Sequence, residues 1–150
     1  MIIALFQPDM APNVGSLVRF SACMGVALHI IEPCGFPLDD KRLRRAAMDY
    51  FDAALLHRHA SWEQFLAAMG GRRIVLLTTK ASQPYTEFAF RPDDVLLLGR
   101  ESAGVPESVH NRADARIIVP MRSGIRSLNL VQAACMIGGE ALRQTQQFPG

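Results

Sequence analysis

Short, continuously apolar runs alternate along this chain with longer stretches in which apolar residues recur at helical spacing. The runs Ile2–Phe6, Ala27–Ile31, Ala53–Leu56, Ile74–Thr78, Val95–Leu98 and Ala115–Val119 predict strands. Several hold no polar position, which is the pattern of strands buried on both faces. Between them lie helix signals. Pro12 suits the first turn of a helix that runs to about Met24, where Gly25 closes it. Asp39 or Asp40 caps a helix through Met48. Ser61-Trp62-Glu63-Gln64 has capping-box spacing, and Gly70-Gly71 ends that helix. Pro106 opens a short helix, and Ser127 caps a long last one to about Gln144. Such alternation predicts an α/β fold, a mostly parallel sheet with flanking helices. Gln147 to Gly150 read as a loose tail.

Composition narrows the class. A chain of 150 residues makes one domain, residues 1–150, the expectation. A core of this size buries roughly 70% of the unfolded chain's surface without covalent staples. Apolar residues make up 49% and charged residues 20%, which excludes a disordered or coiled-coil chain. No apolar run approaches the ~18 residues of a membrane span. Met1–Phe6 is too short, and lacks the basic flank, for a secretory signal. Cys23, Cys34 and Cys135 are widely spaced, with neither a disulfide framework nor zinc-site spacing. They read as small core hydrophobes in a reducing, cytoplasmic setting.

Charge adds a hint. Sixteen basic against fourteen acidic residues give only +2, but fourteen of the basic residues are Arg. Arg grips phosphate as a bidentate fork and stacks on bases, as Lys cannot. The dense cluster is Lys41, Arg42, Arg44 and Arg45.

The common nucleotide motifs are missing. After the first strand comes Gln7-Pro-Asp-Met-Ala-Pro-Asn-Val-Gly15, with no GxGxxG, and the chain has no GxxxxGK[ST] and no GxSxG. His57 and His59 share a strand face without an evident carboxylate or thiol partner, so they read as a strand end and no metal site is expected. Three late segments carry more. Thr78-Thr79-Lys80, Gly99–Pro106 and Pro120–Asn129 each follow an apolar strand and are rich in Gly, Pro and small polar residues. Ligand crevices in parallel sheets lie beyond the carboxyl ends of strands, so these loops meet if their strands are neighbours. Gly99 and Gly104 permit close backbone approach to a flat ligand. In the first helix, Gly15 lies one turn before Arg19 on the same face, which predicts room for a ligand against the guanidinium. The last helix is apolar nearly all round: Leu128, Leu130, Val131, Ala134, Cys135, Met136 and Ile137 demand burial. Gly138-Gly139 suit close approach of a second helix, so this is the expected dimer element.

On these residues the chain resembles the SPOUT RNA methyltransferases. The carriers are Asn13-Val-Gly-Ser-Leu-Val-Arg19, Leu97-Leu-Gly-Arg-Glu-Ser-Ala-Gly-Val-Pro106 and Val119-Pro-Met-Arg-Ser-Gly-Ile-Arg-Ser-Leu-Asn-Leu130. Within that class it is similar to the small tRNA (cytidine/uridine-34-2′-O)-methyltransferase family. His29–Pro33, Asp39–Tyr50 and Leu77–Lys80 share the likeness, which runs nearly end to end. The resemblance implies a carboxyl-terminal deep trefoil knot, against the general rule of un-knotted chains. It also implies bound S-adenosylmethionine, a tRNA substrate methylated on the ribose 2′-hydroxyl of the wobble nucleotide, and a homodimer whose site uses both subunits. No metal or membrane enters.

Carried over by position, Leu77, Thr78, Gly99, Glu101, Gly104, Val119, Ser127 and Leu128 resemble cofactor contacts. Arg19 resembles the arginine at the ribose 2′-hydroxyl, and Asn129 the asparagine near the reacting groups. Lys41, Arg42, Arg44, Arg45 and Arg126 are assigned to RNA. Val131 stands where the family commonly has Ser or Thr, and Gly139 where a Tyr often precedes Glu140. Alternatives are the same chemistry on another tRNA position or on rRNA, and a non-catalytic nucleotide- or RNA-binding α/β module. A nicotinamide-dependent oxidoreductase is disfavoured by the missing glycine fingerprint.

Overall fold

The computed structural model describes the whole chain except Phe51 and Ala53, and only the backbone of Asp40 and Asp49. Its elements follow the alternation in the sequence: β1 (Ile2–Phe6), α1 (Ala11–Met24), β2 (Ala27–Ile31), α2 (Asp40–Ala47) and β3 (Leu56–His59). Then come α3 (Trp62–Met69), β4 (Ile74–Leu77), β5 (Val95–Leu98), α4 (Glu107–Arg112), β6 (Ala115–Ile117) and α5 (Leu130–Thr145).

The strands form one sheet in the order β3-β2-β1-β5-β4-β6, and every pairing is parallel. Strand residues alternate between two cores. Ile3, Leu5, Leu28, Ile30, Leu96 and Leu98 face α1, α2 and α5. Ile2, Ala4, Phe6, Leu97 and Leu76 face Phe65 and Met69 of α3 and Val109 of α4. Covering both faces leaves no polar side for β1 or β5, which explains their uninterrupted apolar runs.

Local signals act as capping chemistry predicts. Asp39 accepts from Arg42 N at 2.8 Å, so it, and not Asp40, caps α2. Ser61 caps α3 by accepting from Gln64 N at 3.1 Å. α5 departs from expectation: it is capped by Asn129, whose Oδ1 accepts from Val131 N (2.9 Å) and Gln132 N (3.3 Å), and not by Ser127. Ser127 stays in an exposed loop. The far end of α5 is pinned by Gln144, which accepts from Phe90 N and donates to Phe88 O, both at 2.9 Å. The third strand is also displaced. It spans Leu56–His59, not Ala53–Leu56, and Ala53 lies outside the described residues. β3 is the sheet edge, so it can carry exposed His57 and Arg58, and its apolar signal is weak. The cysteines are less buried than expected, with Cys23 exposed and Cys34 and Cys135 intermediate.

Asp94 anchors the entry to β5. Its side chain is fully buried and accepts from Arg73 Nε (2.8 Å), Arg73 Nη2 (2.6 Å) and Arg91 N (2.8 Å). A buried carboxylate is tolerable only with such partners.

Candidate functional site

Because β5, β4 and β6 are adjacent, the loops leaving their carboxyl ends converge, and they enclose a crevice of about 610 Å³. That lies within the ~300–1,000 Å³ usual for small-molecule sites. The first wall is Leu77, Thr78 and Thr79. The second is the loop 99–104, and the third the segment from Val119 to Leu130. Met10 and Asn13 close the side toward α1.

Each wall is held by backbone bonds. Thr78 N donates to Ile117 O at 3.0 Å, and Lys80 N to Thr78 Oγ1 at 3.1 Å. In the second loop Arg100 and Gly104 exchange two N–H···O bonds, each 2.9 Å. That rung brings Gly104 so close that a Cβ on Gly99 would sit 2.7 Å from Gly104 C and 2.8 Å from its Cα. Gly99 is therefore required by packing between the two loop ends. In the third segment, Val119 is buried while Arg126, Ser127, Leu128 and Asn129 are exposed at the mouth. The lining thus mixes apolar side chains with polar backbone and carboxylate groups, which suits a ligand with a flat apolar part and a polar tail.

The residues read from the sequence separate into two groups. Leu77, Thr78, Gly99, Glu101, Gly104, Val119, Ser127, Leu128, Asn129 and Arg126 all line the crevice. Arg19 does not. It is exposed on α1, with its guanidinium carbon 4.6 Å from the centre of the Tyr50 ring. Nor do Lys41, Arg42, Arg44 and Arg45, which are exposed on α2. Arg42 lies 3.8 Å from Asp39 and Arg44 2.8 Å from Asp52. The room expected at Gly15 is absent. A Cβ there would fall 2.5 Å from Ala46 Cβ and 2.7 Å from Ala46 backbone atoms. Gly15 docks the basic helix α2 directly on α1, and no ligand space remains beside it.

The last helix is not buried all round in the single chain. Ala134, Ile137, Gly138, Ala141 and Leu142 face the core. Met136 is 44% exposed, and a Cβ at Gly139 would meet nothing within 4 Å. Met136 and Gly139 lie one turn apart on this open face.

Sequence reading missed two polar clusters. On the far side of the sheet, buried His29 of β2 joins the edge-strand histidines. It stacks on His57 and His59 at centroid distances of 4.5 and 5.0 Å, and its Nδ1 lies 2.7 Å from His59 Nε2. Burial, then the neighbouring imidazoles, lowers His29 to about 4. Strand pairing of His29 with His57, and not any local motif, builds this stack. The second cluster is Asp9 with Glu101, whose backbone and side-chain contacts join loops far apart in sequence. Among the described residues, no group of three or more His, Cys, Asp or Glu could hold a metal ion, and no helix is long and apolar enough to cross a membrane.

Beyond the geometry of this crevice, the sequence itself places the class: the chain belongs to the SpoU rRNA Methylase family, whose model matches residues 1–138. Within it, the chain is similar to the tRNA (cytidine(34)-2'-O)-methyltransferase of Beijerinckia indica. The two are 59% identical over 145 residues, covering 95% of this chain and 91% of the relative. It is also similar to a structure solved for insight into the 2-OH methylation of C/U34 on tRNA. There the identity is 38%, the TM-score 0.89, and the coverage 95% of this chain and 93% of that one. A third likeness is to the AdoMet-bound rRNA methyltransferase from Sinorhizobium meliloti, at 25% identity and TM-score 0.83. It covers 95% of this chain and 55% of that one.

Proposed function

We propose that residues 1–150 form one SPOUT-type domain that transfers the methyl group of S-adenosylmethionine to the ribose 2′-hydroxyl of nucleotide 34, C or U, of tRNA. The observation that carries this is the convergence of residues 77–79, 99–104 and 119–130 on one crevice. The names of the relatives at up to 59% identity support the substrate. The AdoMet-bound neighbour supports the cofactor.

The crevice fits that cofactor. Leu77, Val119 and Leu128 offer apolar surface, and the 99–104 rung offers backbone at close range because Gly99 carries no side chain. Thr78, Glu101, Gly104 and Ser127 complete the grip. S-adenosylmethionine supplies an electrophilic methyl group on a sulfonium. The chain's task is to fix geometry and exclude water, which together can contribute several orders of magnitude in rate. Asn129 spends its Oδ1 on the α5 cap, which fixes the loop that carries it; its amide nitrogen takes no part in the cap.

Arg19 orients the 2′-hydroxyl and stabilises the negative charge that develops on its oxygen. A guanidinium with a pKa above ~12 does not serve as the proton acceptor. Since Arg19 lies off the crevice of its own chain, the site is completed by a second copy. The open Met136–Gly139 face of α5 is the surface for that homodimer. Lys41, Arg42, Arg44, Arg45 and Arg126 meet tRNA phosphates, the carboxyl end threads through a loop to make a deep trefoil knot, and the enzyme works in the cytoplasm.

The test is transfer of labelled methyl from S-adenosylmethionine to unfractionated tRNA, followed by mapping of the labelled nucleotide. Label at the 2′-oxygen of nucleotide 34 is expected, and Arg19→Ala abolishes it while keeping S-adenosylhomocysteine affinity. Label elsewhere, or none, overturns the assignment.

A further inference from the structure

The segment that follows α2 is set against α1 by its own backbone. Leu43 and Ala47 bury the inner side of α2, and Gly15 on α1 leaves room for Ala46. The chain then leaves α2 through Met48, at φ 57° and ψ −127°, a conformation that few L-residues adopt. The Met48 side chain is 67% exposed, so burial of that side chain is not what holds the bend. A sparsely populated conformation persists where its surroundings over-determine it. The bend turns the next residues, Met48–Tyr50, back onto α1. There the partly buried Tyr50 meets Arg19, whose guanidinium carbon lies over the ring at 4.6 Å from its centre.

We propose that Tyr50 is a positioning residue for methyl transfer: its ring face orients the Arg19 guanidinium and leaves the hydrogen-bond donors of that group for the ribose 2′-hydroxyl. The proposal rests on the reading of Arg19 given above. An exposed arginine samples many rotamers, and fixing one of them costs side-chain entropy before any substrate arrives. Among the described residues, no carboxylate forms an ion pair with Arg19. A carboxylate would hold the guanidinium by its N–H edge, spending donors and cancelling charge. An aromatic ring holds it by its plane and spends neither. A group that must meet negative charge developing on an oxygen needs both its orientation and its free donors. Tyr50 also continues the unit that carries Lys41, Arg42, Arg44 and Arg45, so the platform is fixed to the basic face of α2.

The electrostatics of the ring separate this role from packing. Tyr50→Phe keeps the negative ring face, whereas pentafluorophenylalanine at position 50 keeps the ring's shape and removes that face. With tRNA as substrate, Tyr50→Phe is expected to hold kcat within about twofold. The pentafluorophenylalanine variant lowers kcat about fivefold or more, the size of one cation–π contact, while KM for tRNA and calorimetric affinity for S-adenosylhomocysteine stay within about twofold. Equal kcat in the two variants means that the ring only fills space, and overturns the proposal, as does a loss confined to KM. Nuclear magnetic resonance judges the stack without activity: the Arg19 Hδ and Hε signals lie upfield under the ring current and move downfield in Tyr50→Leu. Signals indifferent to Tyr50→Leu overturn the stack. If Arg19→Ala turns over normally, the reading of Arg19 fails even where the ring-current shift persists, and Tyr50 loses its role with it.

Discussion

Gly99→Ala is a small change whose consequence can be worked through. The added methyl would lie 2.7, 2.8 and 3.0 Å from Gly104 C, Cα and O. Carbon contacts relax at about 3.5–4.0 Å, so the loop ends must part by roughly 1 Å. Nothing flexible can yield, because all three atoms are backbone. The two 2.9 Å bonds between Arg100 and Gly104 stretch first. Each contributes about 1 kcal/mol, and forced overpacking costs about 1–3 kcal/mol. Relief of glycine's unfolded-state entropy returns roughly 0.5–1 kcal/mol. The net loss of stability is about 1–3 kcal/mol, within the range a domain of this size survives. The effect on the crevice is larger. A misplacement near 1 Å can cost about 100-fold in a positioned reaction. Calorimetry should therefore show S-adenosylhomocysteine binding weakened at least ~10-fold, or about 1.4 kcal/mol, with the circular dichroism spectrum preserved. A dissociation constant within threefold of the unsubstituted protein would refute the reasoning.

Three further outcomes follow from other parts of the molecule. His29 is lowered to about 4 by burial and then by its imidazole neighbours, against 6.5 in an open chain. The unfolded chain thus takes up the proton first, and stability is full above pH 6.5, falls as pH drops toward 4, and is flat below. The loss is about 2–3 kcal/mol in urea titrations, and His29→Phe should flatten that limb; an unchanged acid limb contradicts the stack. The homodimer proposed above should sediment as such, and Gly139→Leu should convert it to monomer, whereas a dimer that persists removes α5 from the interface. Neutralising Lys41, Arg42, Arg44 and Arg45 together should weaken tRNA binding and flatten its dependence on salt; an unaltered slope makes the cluster a solvated helix face.

What the sequence revealed divides by the range of the forces involved. Strands buried on both faces carry their burial in their own residues, so β1, β2 and β5 were legible at their observed limits. The edge strand β3 was not, because solvent on its open side lets Leu56-His-Arg-His59 be polar, and the nearby apolar residues misled. Ser127 and Asn129 are both competent caps two residues apart, and loop geometry decides between them. The crevice was readable because loops at the ends of adjacent parallel strands must meet. Gly15 shows the limit of such reading: an absent side chain marks closeness, but only the fold shows that Ala46 fills the space. Asp9 and Glu101, 92 residues apart, leave no local trace.

The central claim, that loops 77–79, 99–104 and 119–130 grip the methyl donor, is met most directly by amide exchange mapped with and without saturating S-adenosylhomocysteine. New protection confined to those three segments and the start of α1 is the expected result. Protection located on the β3 edge or around α4, or no change at all, would contradict it.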